Sequence, residues 1–520
     1  MSPTRRRQST RSRSAGTPES SPTVTAKRWT LIAVVLGSGA VFLDSTVVNV
    51  ALPRIGRDLP HTYVGVLEGQ SYVYNAYLLT LSTILIPAGA LGDRYGRRRV
   101  FAIGLVAFAA TSLLCGVAPS LESLVVARVL QGAAGALLVP GSLALIRANF
   151  EGEDQGRAIG TWAAASSATT LLGPLVAGVL VDTVSWRAAF LLNLPILAVA
   201  TWALLKHTPE SRDESAAGHL DWLGAALAGL AVGGLSFGAI YGQQREWQGI
   251  VEYVALAVGV AALAALPFEL SRSLTPLVPP SLLRNRDFNV VNLVTFLVYG
   301  ALYVSGYYQV LFMQGVLGYT AAAAGLSSIP ASLMLALFSR RIGAVAVRLG
   351  VRRFMAAGAA VMAIGVLWLA RAPATSAAWK LDLAHPATWL PPLDYFVDLL
   401  PATLLFGIGL TLLVAPLTTA LMSSAPPQNA GVASAVNNAI SRVGPQLAGA
   451  ALFVGVTAAF RARVGNLAAS PLNPPPAGSS GARAAAIQAA SADAFHLAAV
   501  GCAVLLLAGA SVAWTGLRQR

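Results

Sequence analysis

Gly89-Ala-Leu-Gly-Asp-Arg-Tyr-Gly-Arg-Arg-Arg99 returns 254 residues later as Gly343-Ala-Val-Ala-Val-Arg-Leu-Gly-Val-Arg-Arg353. Gly89, Ala90, Arg94, Gly96, Arg98 and Arg99 recur as Gly343, Ala344, Arg348, Gly350, Arg352 and Arg353. A second element, Gly173-Pro174-Leu-Val-Ala177-Gly178, comes back as Gly444-Pro445-Gln-Leu-Ala448-Gly449, at an offset of 271. Two elements repeated in the same order imply a chain built from duplicated halves.

Outward from these copies, each is flanked by apolar stretches of about 20 residues, long enough for a helix to cross a bilayer. Over 520 residues, 55 % are hydrophobic and 11 % charged, against about 25 % charged in a soluble domain. Such a composition excludes a cytosolic enzyme, a secreted disulfide scaffold and a disordered protein. Pro, Gly and charge punctuate the apolar stretches into fourteen spans. Lipid cannot satisfy backbone polar groups, and the alternation of barrel strands is missing, so each span is expected to be a helix.

The repeats pair span 2 with span 10 and span 5 with span 13, which makes spans 1 to 6 equivalent to spans 9 to 14. The expected organisation is a basic disordered tail (1–28), a six-helix half (29–205), a linker with two extra helices (206–286) and a second six-helix half (287–520). Parallel six-helix repeats are a transporter architecture. With a cytoplasmic amino terminus, 25 of the 36 Lys and Arg residues fall on the inner side and 9 on the outer, so both termini are read as cytoplasmic and the membrane as the plasma membrane. The net charge of +14 is thereby a matter of lipid topology, with no nucleic-acid partner expected. The amino terminus carries no small-residue cleavage site after its first apolar stretch. The stretches 372–394 and 461–493 are expected to be outer loops, and Cys115 and Cys502 to be buried thiols without disulfide or metal.

The residues also carry a resemblance. The 89–99 segment matches a loop motif, Arg128-Val-Leu-Gln131-Gly132 a span 4 motif, and Gly173-Pro174 with Gly178 a span 5 motif. Leu43-Asp44-Ser-Thr46-Val-Val-Asn49-Val-Ala-Leu-Pro53 matches a span 1 signature, and Trp186-Arg187-Ala-Ala-Phe190 with Asn193 and Pro195 a span 6 one. Together they resemble the major facilitator superfamily and, within it, the fourteen-helix drug:proton antiporters. The resemblance implies an all-α polytopic fold of two parallel six-helix halves plus two inserted helices. It also implies multidrug or antibiotic efflux by alternating access, and a role for Arg128 in proton coupling with Asp44 a partner. The span 5 motif would mark export and form a direction-setting hinge. Thr169 and Ala177 stand where that motif has glycine, Tyr72 where tryptophan is common, and Val347 replaces the acid found at Asp93.

Asp44 lies in the outer half of span 1, where a carboxylate costs at least a few kcal/mol unless paired or hydrated. It reads either as a proton carrier, with burial favouring its neutral form and a nearby arginine its charged form, or as a structural lock between helices. Arg128 stays charged at any relevant pH and demands acceptors, as a coupling residue or as a static clamp. Arg442 in span 13 is a weaker candidate that could snorkel to the inner interface. Gly89, Asp93, Arg94, Gly96 and Arg97 are expected in a tight inner turn, permitted by Gly92 and Gly96, that gates by contacting the other half or anchors to lipid.

For cargo, Phe296, Tyr299, Tyr303 and Tyr307 share one face of span 9 and could stack on flat drugs or attract cations, or simply pack. Asn49, Tyr72, Asn75 and Gln131 could add polar contacts. The expected partners are protons, the bilayer and a small lipophilic substrate, cations among them, handled by a monomer. No catalytic residue, cofactor or metal is expected. Lys27, Lys206 and Lys380 fit no phosphate loop and the five histidines are scattered. The rival readings are a membrane enzyme, a sensor without transport, and a lipid or metabolite carrier on the same fold.

Overall fold

A computed structural model describes residues 24–60, 66–211, 221–382, 384–426, 429–465, 471–473, 475 and 481–518. The first helices are α1 (Val24–Asp58), α2 (Val66–Tyr95), α3 (Arg97–Gly116), α4 (Leu121–Asn149) and α5 (Gly152–Thr183). Span 6 is split into α6 (Trp186–Leu191) and α7 (Asn193–His207), and α8 (Trp222–Gln244) and α9 (Val251–Arg272) form the inserted pair. A short α10 (Pro280–Leu283) leads to α11 (Arg286–Leu311), then α12 (Ala321–Ser327) with α13 (Ile329–Leu349) as span 10. The remaining helices are α14 (Val351–Leu369), α15 (Leu400–Ser424), α16 (Ala430–Val464) and α17 (Gly481–Gly516). Among the described residues, twelve helices are long and apolar enough to cross a membrane. The other two of the fourteen sequence spans are α2 and α5, of 30 and 32 residues.

Buried apolar side chains separate by half. One cluster draws only on residues between Leu270 and Leu517, and three others only on residues between Ala33 and Leu204. The inserted helices pack on each other at glycines, with Gly234 against Gly259. A Cβ on Gly233 of α8 would lie 3.0 Å from Thr83 of α2, and Glu246 beyond α8 pairs with Arg461 of α16.

Three boundaries depart from the sequence expectation. α1 starts at Val24, so part of the expected tail is helical; residues 1–23 lie outside the described residues. α17 starts at Gly481, so 481–493 is helix rather than loop: its alanine-rich run has high helix propensity but too little hydropathy to register as a span. The described part of 372–394 is loop, as expected, with Trp379 Nε1 and Trp389 Nε1 donating to the carbonyls of Thr388 and Asp382. The expected turn at 89–99 is a single-residue joint. α2 runs through Asp93 and Arg94 to Tyr95, Gly92 is helical, and only Gly96 breaks the helix, at φ 106°. Its repeat partner Gly350 does the same between α13 and α14, at φ 99°, a region open to glycine because a Cβ would clash with the backbone.

The other repeated glycine also acts twice. A Cβ on Gly173 would collide with Thr46 Oγ1 of α1, and one on Gly444 would sit 2.7 Å from the Phe296 carbonyl oxygen of α11. Each therefore lets the first helix of its half approach closely. Gly178 has nothing within 4 Å of its Cβ position, and Ala177 is fully buried against Leu43 and Val47.

G173A is expected to lower stability by about 1–3 kcal/mol, the usual cost of overpacking, with T46A returning part of it. G444A should cost at least as much and resist rescue by any side-chain truncation, because it meets backbone. Thermal unfolding of the purified protein in detergent measures both.

Candidate functional site

Arg128 sits two turns into α4, whose start is fixed by a capping box between Ser120 and Ser123. A Cβ on Gly132, one turn later, would overlap the Tyr77 carbonyl oxygen and Thr80 Oγ1. That close approach of α4 to α2 lets Arg128 Nε donate to the Val73 carbonyl at 3.0 Å. Its Nη1 pairs with Asp44 Oδ2 of α1 and donates to Gln131 Oε1 at 2.8 Å. The guanidinium lies 4.1 Å above the Tyr77 ring, a favourable placement for a desolvated cation. Tyr77 is itself held by donating to the Val41 carbonyl of α1 at 3.0 Å.

The second carboxylate oxygen, Asp44 Oδ1, accepts from Gln131 Nε2 at 3.0 Å and from Asn193 Nδ2 of α7 at 3.3 Å. Both amides also donate to Ser112 Oγ of α3, at 3.0 and 2.9 Å. Ser112 Oγ donates to the Phe190 carbonyl at 3.2 Å, and Cys115 Sγ donates to Gln131 Oε1 at 3.3 Å. Asp44 is 1 % exposed, and Arg128, Gln131, Asn193 and Ser112 are fully buried. Helices α1, α2, α3, α4 and α7 thus close on one acid. Every group facing that acid is a donor, so the geometry fits the carboxylate anion. Two atoms of the cluster, Arg128 Nη2 and Asn193 Oδ1, are buried without a hydrogen bond.

The other predicted residues lie elsewhere. Gln131, expected to face cargo, is inside the Asp44 cluster. Asn49 is exposed and bonded to Tyr74 of α2, while Tyr72 and Asn75 are half-buried. On α11, Tyr299 is half-buried, whereas Tyr303 and Tyr307 are 55 % and 56 % exposed. At the joint, Gly89 packs near Pro140 and Arg94 lies over the Tyr95 ring. The side chains of Asp93 and Pro174 lie outside the described residues.

One partner at the joint has no sequence signal. Glu210, beyond the end of α7, accepts from the backbone N–H groups of Arg98 and Arg99 at 3.0 and 3.1 Å, and Arg97 N–H donates to the Ser211 carbonyl at 2.8 Å. The carboxylate caps the start of α3, where orphan N–H groups and the helix dipole favour an anion.

The sequence profile of the Major Facilitator Superfamily matches residues 34–449. The chain belongs to the major facilitator superfamily. It is 34 % identical over 428 residues to multidrug resistance protein Stp of Mycobacterium tuberculosis (strain CDC 1551 / Oshkosh), covering 81 % of this chain and 74 % of that one. It is 32 % identical over 425 residues to the tetracenomycin C resistance and export protein of Streptomyces glaucescens, covering 82 % and 75 %. A crystal structure of an auto inhibited POT family peptide transporter shares the fold, with a TM-score of 0.63 at 17 % identity over 95 % of this chain and 98 % of that one. As a superfamily member the chain is a multi-pass membrane transporter of the efflux type and not an enzyme.

Within this superfamily fold the buried pair sets a stability test. R128A strands the Asp44 carboxylate and should cost about 3–5 kcal/mol, whereas D44L/R128M, which removes both charges at similar volume, should recover most of the loss. Unfolding midpoints of the two variants in detergent decide it.

Proposed function

We propose that this chain exports lipophilic drugs or antibiotics across the plasma membrane in exchange for protons, by alternating access, with both termini cytoplasmic. The observation that carries the coupling is the Asp44 carboxylate, sealed from solvent and held by donors from α4 and α7. A proton reaching Asp44 turns an acceptor into a donor, and the groups around it no longer match. Asn193 Oδ1, now without a partner, is the acceptor that a rotated amide offers to a neutral Asp44. Arg128 keeps Val73 O and Gln131 Oε1 and loses its counter-charge. The two protonation states therefore favour different packings of α1 against α4 and α7, the bistable element that coupling requires.

Inward proton movement supplies the work, about 2.3 kcal/mol per charge per 100 mV of membrane potential and about 1.4 kcal/mol per unit of pH difference. Export is supported by the relatives named for resistance and export. The halves 29–205 and 287–520 are the bodies that rock, in keeping with their separate buried clusters. The Gly96 and Gly350 joints lie on the cytoplasmic side, with Gly89, Asp93, Arg94 and Arg97 working as a gate and Gly173 and Pro174 as the hinge. The chain works as a monomer.

Proteoliposomes with an imposed pH step test this reading. The wild type should accumulate ethidium or an acidic dye against its gradient, and D44N should lose uphill accumulation while retaining binding. Saturable binding without flux in the wild type would instead make the protein a sensor, and uphill pumping by D44N would sink the assignment of the proton to Asp44.

A further inference from the structure

The second arginine inside the bundle, Arg442 of α16, has no counter-ion. Among the described residues no carboxylate pairs with it and no side chain accepts from it, and its Nε is buried without a hydrogen bond. A guanidinium cannot discharge by losing its proton, and an unpaired charge at membrane depth is costly enough to signal a site. Asp44 is not available, since both its oxygens are taken. Arg442 also lies within electrostatic range of Tyr74 and Tyr77 of α2, in the opposite half.

The neighbours of Arg442 define what would complete it. One turn on, Gln446 presents an Oε1 that is likewise buried and unpartnered. The other side of α16 is already used: Asn437 donates to Asn292 Oδ1 and Thr295 Oγ1 of α11 at 2.9 and 2.8 Å, and Gly444 meets Phe296. Tyr74 in turn acts on Tyr303 and Tyr307 of α11. Those two rings are more than half exposed although they lie within electrostatic reach of Tyr74, so protein does not fill the space around them. Tyr299 and Tyr303 stand 6.3 Å apart at 47°. Flat apolar faces, phenolic donors, a bare cation and a bare amide oxygen thus border one region between α2, α11 and α16.

We infer that Arg442, with Gln446 and the tyrosines of α2 and α11, binds the anionic group of an acidic aromatic substrate. A carboxylate or phenolate would supply the missing counter-charge, Gln446 Oε1 would accept from a hydroxyl beside it, and the rings would take the planar body. A cationic cargo, expected from the tyrosine stripe alone, would meet Arg442 and Arg128, both of which act on Tyr74. This rests on the export reading for its biological meaning, but binding can be measured without transport.

Two dyes with the same three-ring body and opposite charge, fluorescein and rhodamine 123, separate the alternatives by fluorescence anisotropy on the purified protein in detergent. The wild type should bind fluorescein more tightly than rhodamine 123. R442Q should weaken fluorescein about tenfold or more, the usual size of one lost charge-assisted contact, and R442K should retain part of the affinity. Rhodamine 123 bound at least as tightly by the wild type, no fluorescein binding, or fluorescein affinity equal in the wild type, R442Q and R442K would each overturn the inference. Should R442Q fail to fold, the wild-type preference and R442K still decide. Loss of proton-driven flux with charge preference intact would overturn the export reading and leave this one standing.

Discussion

An arginine that cannot be discharged, placed where water cannot reach it, dictates the packing of the first half. Arg128 needs acceptors, and the ones it has come from α1, α2 and its own helix. Gly132 makes that possible, because any larger residue would push α4 away from the Tyr77 carbonyl. Asn193 of α7 then donates to Asp44, and Ser112 of α3 accepts from the Gln131 and Asn193 amides. Charged groups in a low dielectric are harshly penalised when mispaired, so a cluster of this kind admits few alternative registers among the five helices.

The two halves share their mechanical parts and differ in their chemical ones. Gly96 and Gly350 form the same joint, and Gly173 and Gly444 admit the same close helix contact. The second half, however, builds its buried polar contact from Asn437, Asn292 and Thr295, all neutral, and among the described residues no carboxylate pairs with its Arg442. Glu210 caps the start of α3 from beyond α7. Duplication thus supplied a scaffold twice, and the ionisable groups diverged upon it.

The scaffold was the legible part of the sequence. Repeated glycines and arginines, apolar length and the inner bias of basic residues are local signals, and they point to spans, halves and joints. Asp44 and Arg128 stood out because a charge in an apolar run has few bland explanations. Gln131, expected among cargo contacts, bonds within the Asp44 cluster, a place the sequence does not signal because an amide marks polarity without direction. Ser112, Cys115 and Glu210 carried no signal: a serine or thiol in an apolar span looks like filler, and an acid three residues past a helix looks like solvated loop. Arg442 was visible but looked dispensable, since its missing partner becomes apparent only when every neighbour is in place.

Helix α2 holds Arg128 and packs against α16, the helix that carries Arg442. Its Val73 carbonyl and Tyr77 ring hold Arg128, while Tyr74, between them in sequence, lies within electrostatic range of Arg442 and of Tyr303 on α11. Residues 73, 74 and 77 share one turn of a helix, so they cannot move independently by much. If protonation of Asp44 releases Arg128, the Val73 and Tyr77 contacts must adjust, and that adjustment turns Tyr74 relative to Arg442. Coupling is reciprocal: a substrate that engages Arg442 and displaces Tyr74 must alter the affinity of Asp44 for its proton by the same factor. Proton and cargo would then communicate through one helical turn, with no need for them to share a site. The inserted α8 packs on the same helix at Thr83, about two turns further on.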